Sequence, residues 1–112
     1  MTIQERVNSN VVEALSPIAP VQPDEYIGES DVYIEFDYSE TGMSYFDNKP
    51  KYILIDLTVR FFAPSGKNVT KERTAIASAI LGAGWLRPTV ENASDQTGQA
   101  YVYTTQKVWR NG

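Results

Sequence analysis

The sequence predicts an α+β fold, a largely antiparallel sheet of about four strands with two helices packed on one face. The segment Lys51–Phe62 alternates apolar and other residues at every second position, the pattern of a strand with one buried face. A helical pattern and a first strand precede this segment, and a second helix and two further strands follow it. The predicted order is αββαββ, two hairpins within a single domain formed by all 112 residues.

The length of the central strand is unusual. At about 3.3 Å per residue, Lys51–Phe62 would reach about 36 Å, whereas a domain of this size has a radius of gyration near ~13 Å. We therefore expect this strand to cross the whole domain or to project from it. It either carries a bulge or pairs with something beyond its own subunit.

The first helix is predicted from its capping residues and its apolar stripe. Thr2 and Glu5 have the spacing of a capping box, in which each side chain bonds to the other residue's backbone. The stripe repeats every four residues: Ile3, Val7, Val11 and Leu15. Prolines at positions 17, 20 and 23 then predict that Ser16–Pro23 is an extended connector.

A first hairpin with an overlong tip is predicted next. Asp31–Tyr38 alternates as a half-buried strand, and Ser39–Pro50 is predicted to be a long loop before the central strand. Met43, Tyr45 and Phe46 lie in this loop. Apolar residues in a loop either pack back onto the core or form a contact patch, and the sequence leaves both interpretations open.

The second half of the chain adds a helix and two strands. The turn before the helix lacks the first glycine and the Ser/Thr of a phosphate-binding loop, because Phe61 and Asn68 occupy those positions. Asn68 is predicted to cap a helix over Val69–Ala83, which Gly84 ends. A short strand over 87–92 follows, and Pro88 limits it to a sheet edge or to a strand start. A longer strand over Gln99–Trp109 ends the predicted fold.

Composition argues against an enzyme. The chain has no histidine and no cysteine, so the commonest general base and metal ligands are absent. Glu35 and Asp37 share a strand face and are the best candidate pair of catalytic carboxylates, and Asp47 could join them around a cation. We interpret these acids as the exposed polar face of an edge hairpin, and we predict no catalytic residue, metal or cofactor. With no apolar leader or long apolar run, we expect a cytosolic chain.

Charge is segregated along the chain. From Asp24 to Asp47 there are eight acids and no base, whereas from Lys49 onward nine bases outnumber four acids, which gives −8 and +5. Either the two regions are separately solvated faces, or the molecules stack head-to-tail through unlike surfaces. No cluster of bases interleaved with aromatic residues supports sequence-specific nucleic-acid binding.

Four segments resemble a family of small tail-completion proteins of long-tailed bacteriophages and prophages. They are Thr2–Val7, Ala63–Asn68, Leu81–Trp85 and Val90–Tyr101. The resemblance implies an α+β tail terminator, or tail-to-head joining protein, that assembles as a ring matching the sixfold tail. Such a ring caps the tail tube, stops its polymerisation and contacts the head connector. The family pattern differs from this sequence at Ala100 and at Thr104–Lys107.

The resemblance also implies partners and contact residues. The expected partners are further copies in a ring, most simply a hexamer, with the tail tube protein and the head–tail connector or neck protein; DNA would pass through the lumen, and no membrane is involved. The expected location is the host cytoplasm during assembly and then the tail or neck of the virion. The candidate subunit or tube contacts are Asp37, Glu40, Met43, Tyr45, Phe46, Lys67, Lys71 and Arg73.

These residues have assigned roles in the prediction. The three apolar ones would anchor a contact, and the two acids would face the three bases of the next subunit.

Two other classes of function remain. One is a head-completion or neck adaptor protein on the capsid side, and the other is a small non-structural phage enzyme or regulator.

Overall fold

The computed structural model describes residues 2–46 and 49–110, which form two helices and one mixed sheet of five strands. The helices are α1 (Ile3–Leu15) and α2 (Thr70–Gly82). The strands are β1 (Val21–Pro23), β2 (Tyr33–Phe46), β3 (Lys49–Ala63), β4 (Thr89–Asn92) and β5 (Gln99–Arg110). In the sheet they lie in the order β1-β2-β3-β5-β4.

The predicted sheet of four antiparallel strands in the order αββαββ is wrong. The chain order is αβββαββ, and the additional strand, β1, pairs with β2 in parallel. Its three residues lie in the segment that the prolines predicted to be an extended connector. The backbone N–H of Ile34 donates to the Pro20 carbonyl at 2.8 Å, and that of Asp24 donates to Phe36 at 2.7 Å. A strand of three residues is too short to show an alternating pattern, so sequence periodicity could not reveal it.

The predicted loop over Ser39–Pro50 is also wrong. In the described residues, β2 continues to Phe46 and pairs with β3 from Tyr33↔Phe62 to Phe46↔Lys49. The register is constant along the described pairs, so the hairpin carries no bulge there. Extended backbone persists in this polar, glycine-containing segment because β3 offers a hydrogen-bonding partner along its whole length. The local composition of residues 39–50 gives no sign of this pairing with β3.

One face of the sheet forms the core. Alternate residues of β3 from Ile53 to Ala63 are buried, and the residues between them are only partly buried. Both helices pack on the buried face through their apolar stripes. The helical core residues are Val7, Val11, Leu15, Ile76 and Ile80. We call the opposite side, which no helix covers in the described structure, the open face.

Both helices begin and end through specific backbone bonds. At α1 the predicted capping box is confirmed, because Thr2 Oγ1 accepts from the Glu5 N–H and Glu5 Oε1 accepts from the Thr2 N–H. At α2 the N-cap is Val69, which forms no side-chain capping bond, and not the predicted Asn68. The Asn68 side chain lies one residue earlier and accepts from the N–H of Thr70, the first helical residue. Gly84, just after the helix, has a φ of 97°, which favours glycine. The N–H of Gly84 donates to the Leu81 carbonyl and that of Trp85 donates to the Ile80 carbonyl, and these two bonds form a Schellman motif.

A polar contact around Trp85 connects the two helices with β5. The Trp85 indole donates to Asn10 Oδ1 at 2.7 Å, and Asn10 Nδ2 donates to the Ala83 carbonyl at 3.1 Å. The Trp85 ring lies 6.0 Å from the ring of Trp109 on β5. The Arg6 guanidinium lies 5.1 Å from the centroid of Trp109. These contacts fix α1 and the end of α2 against the same strand.

Neighbouring phenylalanines in β3 test the assignment of the two faces. Phe61 is fully buried, whereas Phe62 lies partly buried on the open face. We expect Phe61→Ala to lower the free energy of unfolding by about 3–5 kcal/mol, the usual cost of emptying a buried phenylalanine site. The matched Phe62→Ala should cost about 1 kcal/mol. Urea unfolding measures both; equal losses would contradict the assignment.

Candidate assembly surface

The β2–β3 hairpin projects beyond the helices and gives the molecule its length. Among the described residues, the last pair of β3 with β5 is Tyr52↔Arg110, and the last pair of β1 with β2 is Pro23↔Phe36. Beyond these pairs, the described part of the hairpin consists of β2 and β3 alone. The principal extents of 54 × 25 × 23 Å and the radius of gyration of 15.1 Å reflect this projection. The expectation of a projecting central strand agrees with this geometry.

The outer edge of β2 has no neighbouring strand in the described chain from Asp37 to Phe46. Besides β3, the start of α1 contacts this part of β2: Gln4 Nε2 donates to Glu40 Oε2 at 3.2 Å, and the Tyr38 hydroxyl donates to the Gln4 carbonyl at 3.4 Å. Natural edge strands are commonly protected by lysine, proline or a bulge. Charged side chains also protect edges, and β2 carries Asp37 and Glu40. From Thr41 to Phe46 its sequence has no charged residue and no proline, and its described pairing has no bulge, so this part of the edge is suited to contact another chain.

The predicted contact residues of the hairpin have different environments. Asp37 forms an ion pair with Arg60 across the open face, at 2.7 Å. Met43 is on the same face and is 39% exposed. The side chains of Tyr45 and Phe46 lie outside the described part of the structure, although their backbones pair with Pro50 and Lys49. Met43 therefore does not pack into the core, in agreement with the contact-patch interpretation.

The predicted basic contacts lie at the opposite end of the sheet from the hairpin tip, around the start of α2. Lys67 and Lys71 are exposed. Arg73 is engaged within its own chain, since its guanidinium lies 3.9 Å from the Tyr101 ring centroid and its carbonyl accepts from the Tyr103 hydroxyl at 3.0 Å. In the described chain, no hydrogen bond or ion pair joins these bases to Asp37 or Glu40. Contact between the two groups would require two copies.

Two tyrosines have shifted acid–base equilibria. Burial raises the pKa of Tyr103, and the nearby Arg73 partly opposes this shift. Burial also raises the pKa of Tyr38, with additional repulsion from the carboxylates of Glu40 and Asp24. Each hydroxyl donates to a backbone carbonyl, that of Tyr103 to Arg73 and that of Tyr38 to Gln4. Both therefore report on packing and on the local charge.

The candidate catalytic carboxylates have structural partners. Glu35 Oε2 accepts from the backbone N–H of Tyr26 at 2.8 Å, and Asp37 is paired with Arg60. Asp47, the third residue of the candidate cation site, lies outside the described residues. In the described ranges, no group of three acidic, histidine or cysteine side chains could hold a metal ion. Neither helix in those ranges has the length and apolar character needed to cross a membrane.

A groove at the end of the sheet opposite the hairpin tip was missed by the sequence analysis. We call it the base groove; it has a volume of about 450 Å³. Its floor is formed on the open face by neighbouring residues of β2, β3 and β5, and acids lie on its rims. The residues that define it are Asp31, Tyr33, Phe62, Asp95, Thr97 and Ala100. The sequence did contain a signal for this groove: Tyr33 and Phe62 are aromatic residues at strand positions whose neighbours on the same face are mostly polar.

No protein-family model and no curated protein sequence matches this chain. The geometry of the described residues therefore carries the functional argument. It combines a projecting hairpin, an unpaired strand edge, and charged surfaces at opposite ends of an elongated molecule.

The raised pKa of Tyr103 predicts a loss of stability in alkaline solution. The folded state retains this proton to higher pH than the unfolded chain, whose tyrosines titrate near ~10. The stabilising contribution is therefore complete below about pH 10 and is lost as the pH rises through the folded pKa. We expect Tyr103→Phe to lower stability by about 0.5–1.5 kcal/mol at neutral pH through the lost hydrogen bond.

The same variant should lose less stability than the wild type above about pH 10. Urea unfolding at a series of pH values measures this difference. Tyr52→Phe is the matched control, at a tyrosine of β3 that is only partly buried. Parallel pH profiles for the wild type and Tyr103→Phe would show that Tyr103 does not cause the alkaline loss.

Proposed function

We propose that this protein is a structural component of a phage or prophage tail. In this proposal, copies form a ring that caps the tail tube, ends its polymerisation and joins the tail to the head connector. The observation that carries the proposal is the β2–β3 hairpin, which projects from the core and has an unpaired outer edge. A projecting, unprotected strand edge is suited to contacts between chains.

The arrangement of charge supports contact between unlike surfaces. Glu40 lies on the hairpin, whereas Lys67 and Lys71 are exposed near the start of α2. A contact that joins two different surfaces is heterologous, and it generates a ring when the rotation between neighbours closes. The hairpin of one copy would meet the α2 end of the next. Resemblance of four sequence segments to phage tail-completion proteins supports the same function.

The candidate contact residues are refined by their intramolecular partners. Asp37 already pairs with Arg60, and Arg73 already stacks on Tyr101. Lys67 and Lys71 are exposed, and Glu40 is exposed and accepts a hydrogen bond from the neutral Gln4 side chain. These three residues are therefore better placed for charge pairing between copies. Met43 adds an exposed apolar group on the open face of the hairpin. Tyr45 and Phe46 remain proposed anchors on the basis of sequence.

Deletion of the gene from the parent phage or prophage tests the function directly. We expect abnormally long tails without heads, because nothing would stop polymerisation of the tail tube. Electron microscopy after induction gives tail lengths and particle morphology. A plasmid copy of the wild-type gene should restore normal virions.

Other morphologies would contradict the terminator function. Tails of normal length beside filled, tailless heads would instead indicate a neck adaptor on the capsid side. Intact virions would exclude both structural functions and would favour a non-structural enzyme or regulator.

Charge reversal at Glu40 tests the contact between hairpin and helix end. We expect Glu40→Lys to weaken self-association of the purified protein, because it would place like charges beside Lys67 and Lys71 of the next copy. The double variant Glu40→Lys with Lys71→Glu should recover association. Sedimentation velocity measures the distribution of oligomers.

Glu13→Lys is the matched control for this experiment. It makes the same change of charge at an exposed site on α1, away from the proposed contact. Equal weakening by Glu40→Lys and Glu13→Lys would indicate a general charge effect. Unchanged association in Glu40→Lys would remove this pairing from the proposal.

A further inference from the structure

The base groove has the chemistry of a site for a cationic side chain. The rings of Tyr33 and Phe62 stack at 5.0 Å between centroids and form an aromatic floor. Tyr26 supports this floor from the outer side, since its ring stacks on Tyr33 at 4.5 Å. Ala100 is the neighbour of Phe62 on β5, and its small side chain leaves the floor open. Because Tyr33 is stacked between Tyr26 and Phe62, the ring face that remains open is that of Phe62 on the side of Ala100. An ammonium or guanidinium group is attracted to such an open ring face.

Carboxylates lie on both rims of the groove. Asp31 is exposed and has no hydrogen-bond or ion-pair partner in the described chain. Asp95 Oδ1 accepts from the Thr97 N–H at 2.8 Å and from Thr97 Oγ1 at 2.6 Å. These bonds lower the pKa of Asp95, so it is ionised at neutral pH. The two carboxylates and the aromatic floor would together bind one cationic group within the groove.

The hairpin tip presents the matching charge. Lys49 and Lys51 are both exposed at the start of β3, and Lys51 Nζ lies 5.6 Å from the ring of its neighbour Tyr52. The only acid in the sequence between Glu40 and Asp56 is Asp47, which lies outside the described residues. The described part of the tip is therefore basic, whereas the groove at the other end is acidic.

The tip of a chain cannot reach its own groove. Both belong to β3, with Lys49 at its first residue and Phe62 near its last. At about 3.3 Å per residue, the strand separates them by about 43 Å. Because β3 is paired with its neighbours in the sheet, it stays extended and cannot bring its two ends together. Any contact between these two complementary surfaces must therefore form between different molecules.

We infer that Lys49 and Lys51 of one copy bind the base groove of the next copy, between Asp31 and Asp95. This inference rests on the ring proposed above and assigns it a specific contact. The contact agrees with the proposed pairing of Glu40 with Lys67 and Lys71, because both join the hairpin of one molecule to the opposite end of its neighbour. The occupant of the groove is a second copy of this chain.

Charge exchange within one chain tests the contact. We expect Lys51→Glu and Asp31→Lys each to weaken self-association at least tenfold, since each places like charges together. The double variant carrying both changes should recover most of the association, because each interface again pairs opposite charges. Sedimentation velocity of the purified full chain over a range of concentrations measures all three. Circular dichroism confirms that each variant is folded.

Matched controls distinguish a local contact from a change of net charge. Arg87→Glu and Glu13→Lys make the same charge changes at exposed positions outside the tip and the groove. Both should associate as the wild type does. Because the chain has no cysteine, a Lys51→Cys and Asp31→Cys variant adds a second measurement. Mild oxidation should link chains head-to-tail into disulfide-bonded oligomers on a non-reducing gel.

Failure of this contact can be separated from failure of the ring. If the wild type associates and the two single charge variants associate equally well, the groove contact is overturned while the ring remains. If the wild type stays monomeric even at millimolar concentration, the contact between copies is likewise overturned. Tail morphology after deletion of the gene then decides the terminator function independently.

Discussion

Burial of one face of β3 under the two helices is the constraint on which the rest of the structure depends. Since strand side chains alternate, placing Ile55, Leu57 and Val59 in the core commits the intervening residues to the open face. The neighbouring strands follow the same register, so Phe36 and Tyr103 reach the core at Val59. A shift by one residue would expose the whole apolar set. The core thereby fixes the orientation of every strand beside β3.

The same strand extends the molecule beyond its core. Towards the tip, β3 loses β5 as a neighbour, and β2 has already lost β1, so the hairpin continues through its own backbone pairing. In the described chain, no strand pairs with the outer edge of β2 along this part. Such a segment gains stability when another chain covers it. The projection is therefore most readily understood as part of an interface, and the proposed ring supplies its partner.

The segregation of charge acquires a spatial meaning in this fold. The acid-rich segment contributes Asp31 to the base groove, whereas the first bases of the second segment, Lys49 and Lys51, lie at the hairpin tip. The length of β3 holds these opposite charges apart within one molecule and makes them available to neighbours. Electrostatic attraction of this kind selects orientation and raises the rate of encounter more than it raises affinity. It favours head-to-tail contact over contact between identical surfaces.

The sequence by itself determined the elements whose signals are local. The Thr2 and Glu5 capping box, the alternation of β3 and the helix end at Gly84 were all readable, because each depends on residues close together in the chain. It also singled out the exposed Met43. Only the tertiary structure decided that the segment after Tyr38 is a strand, that residues 21–23 form a parallel strand, and that an acidic groove lies opposite the tip. Those features depend on hydrogen-bond partners and neighbours that are distant in sequence, which no local pattern records.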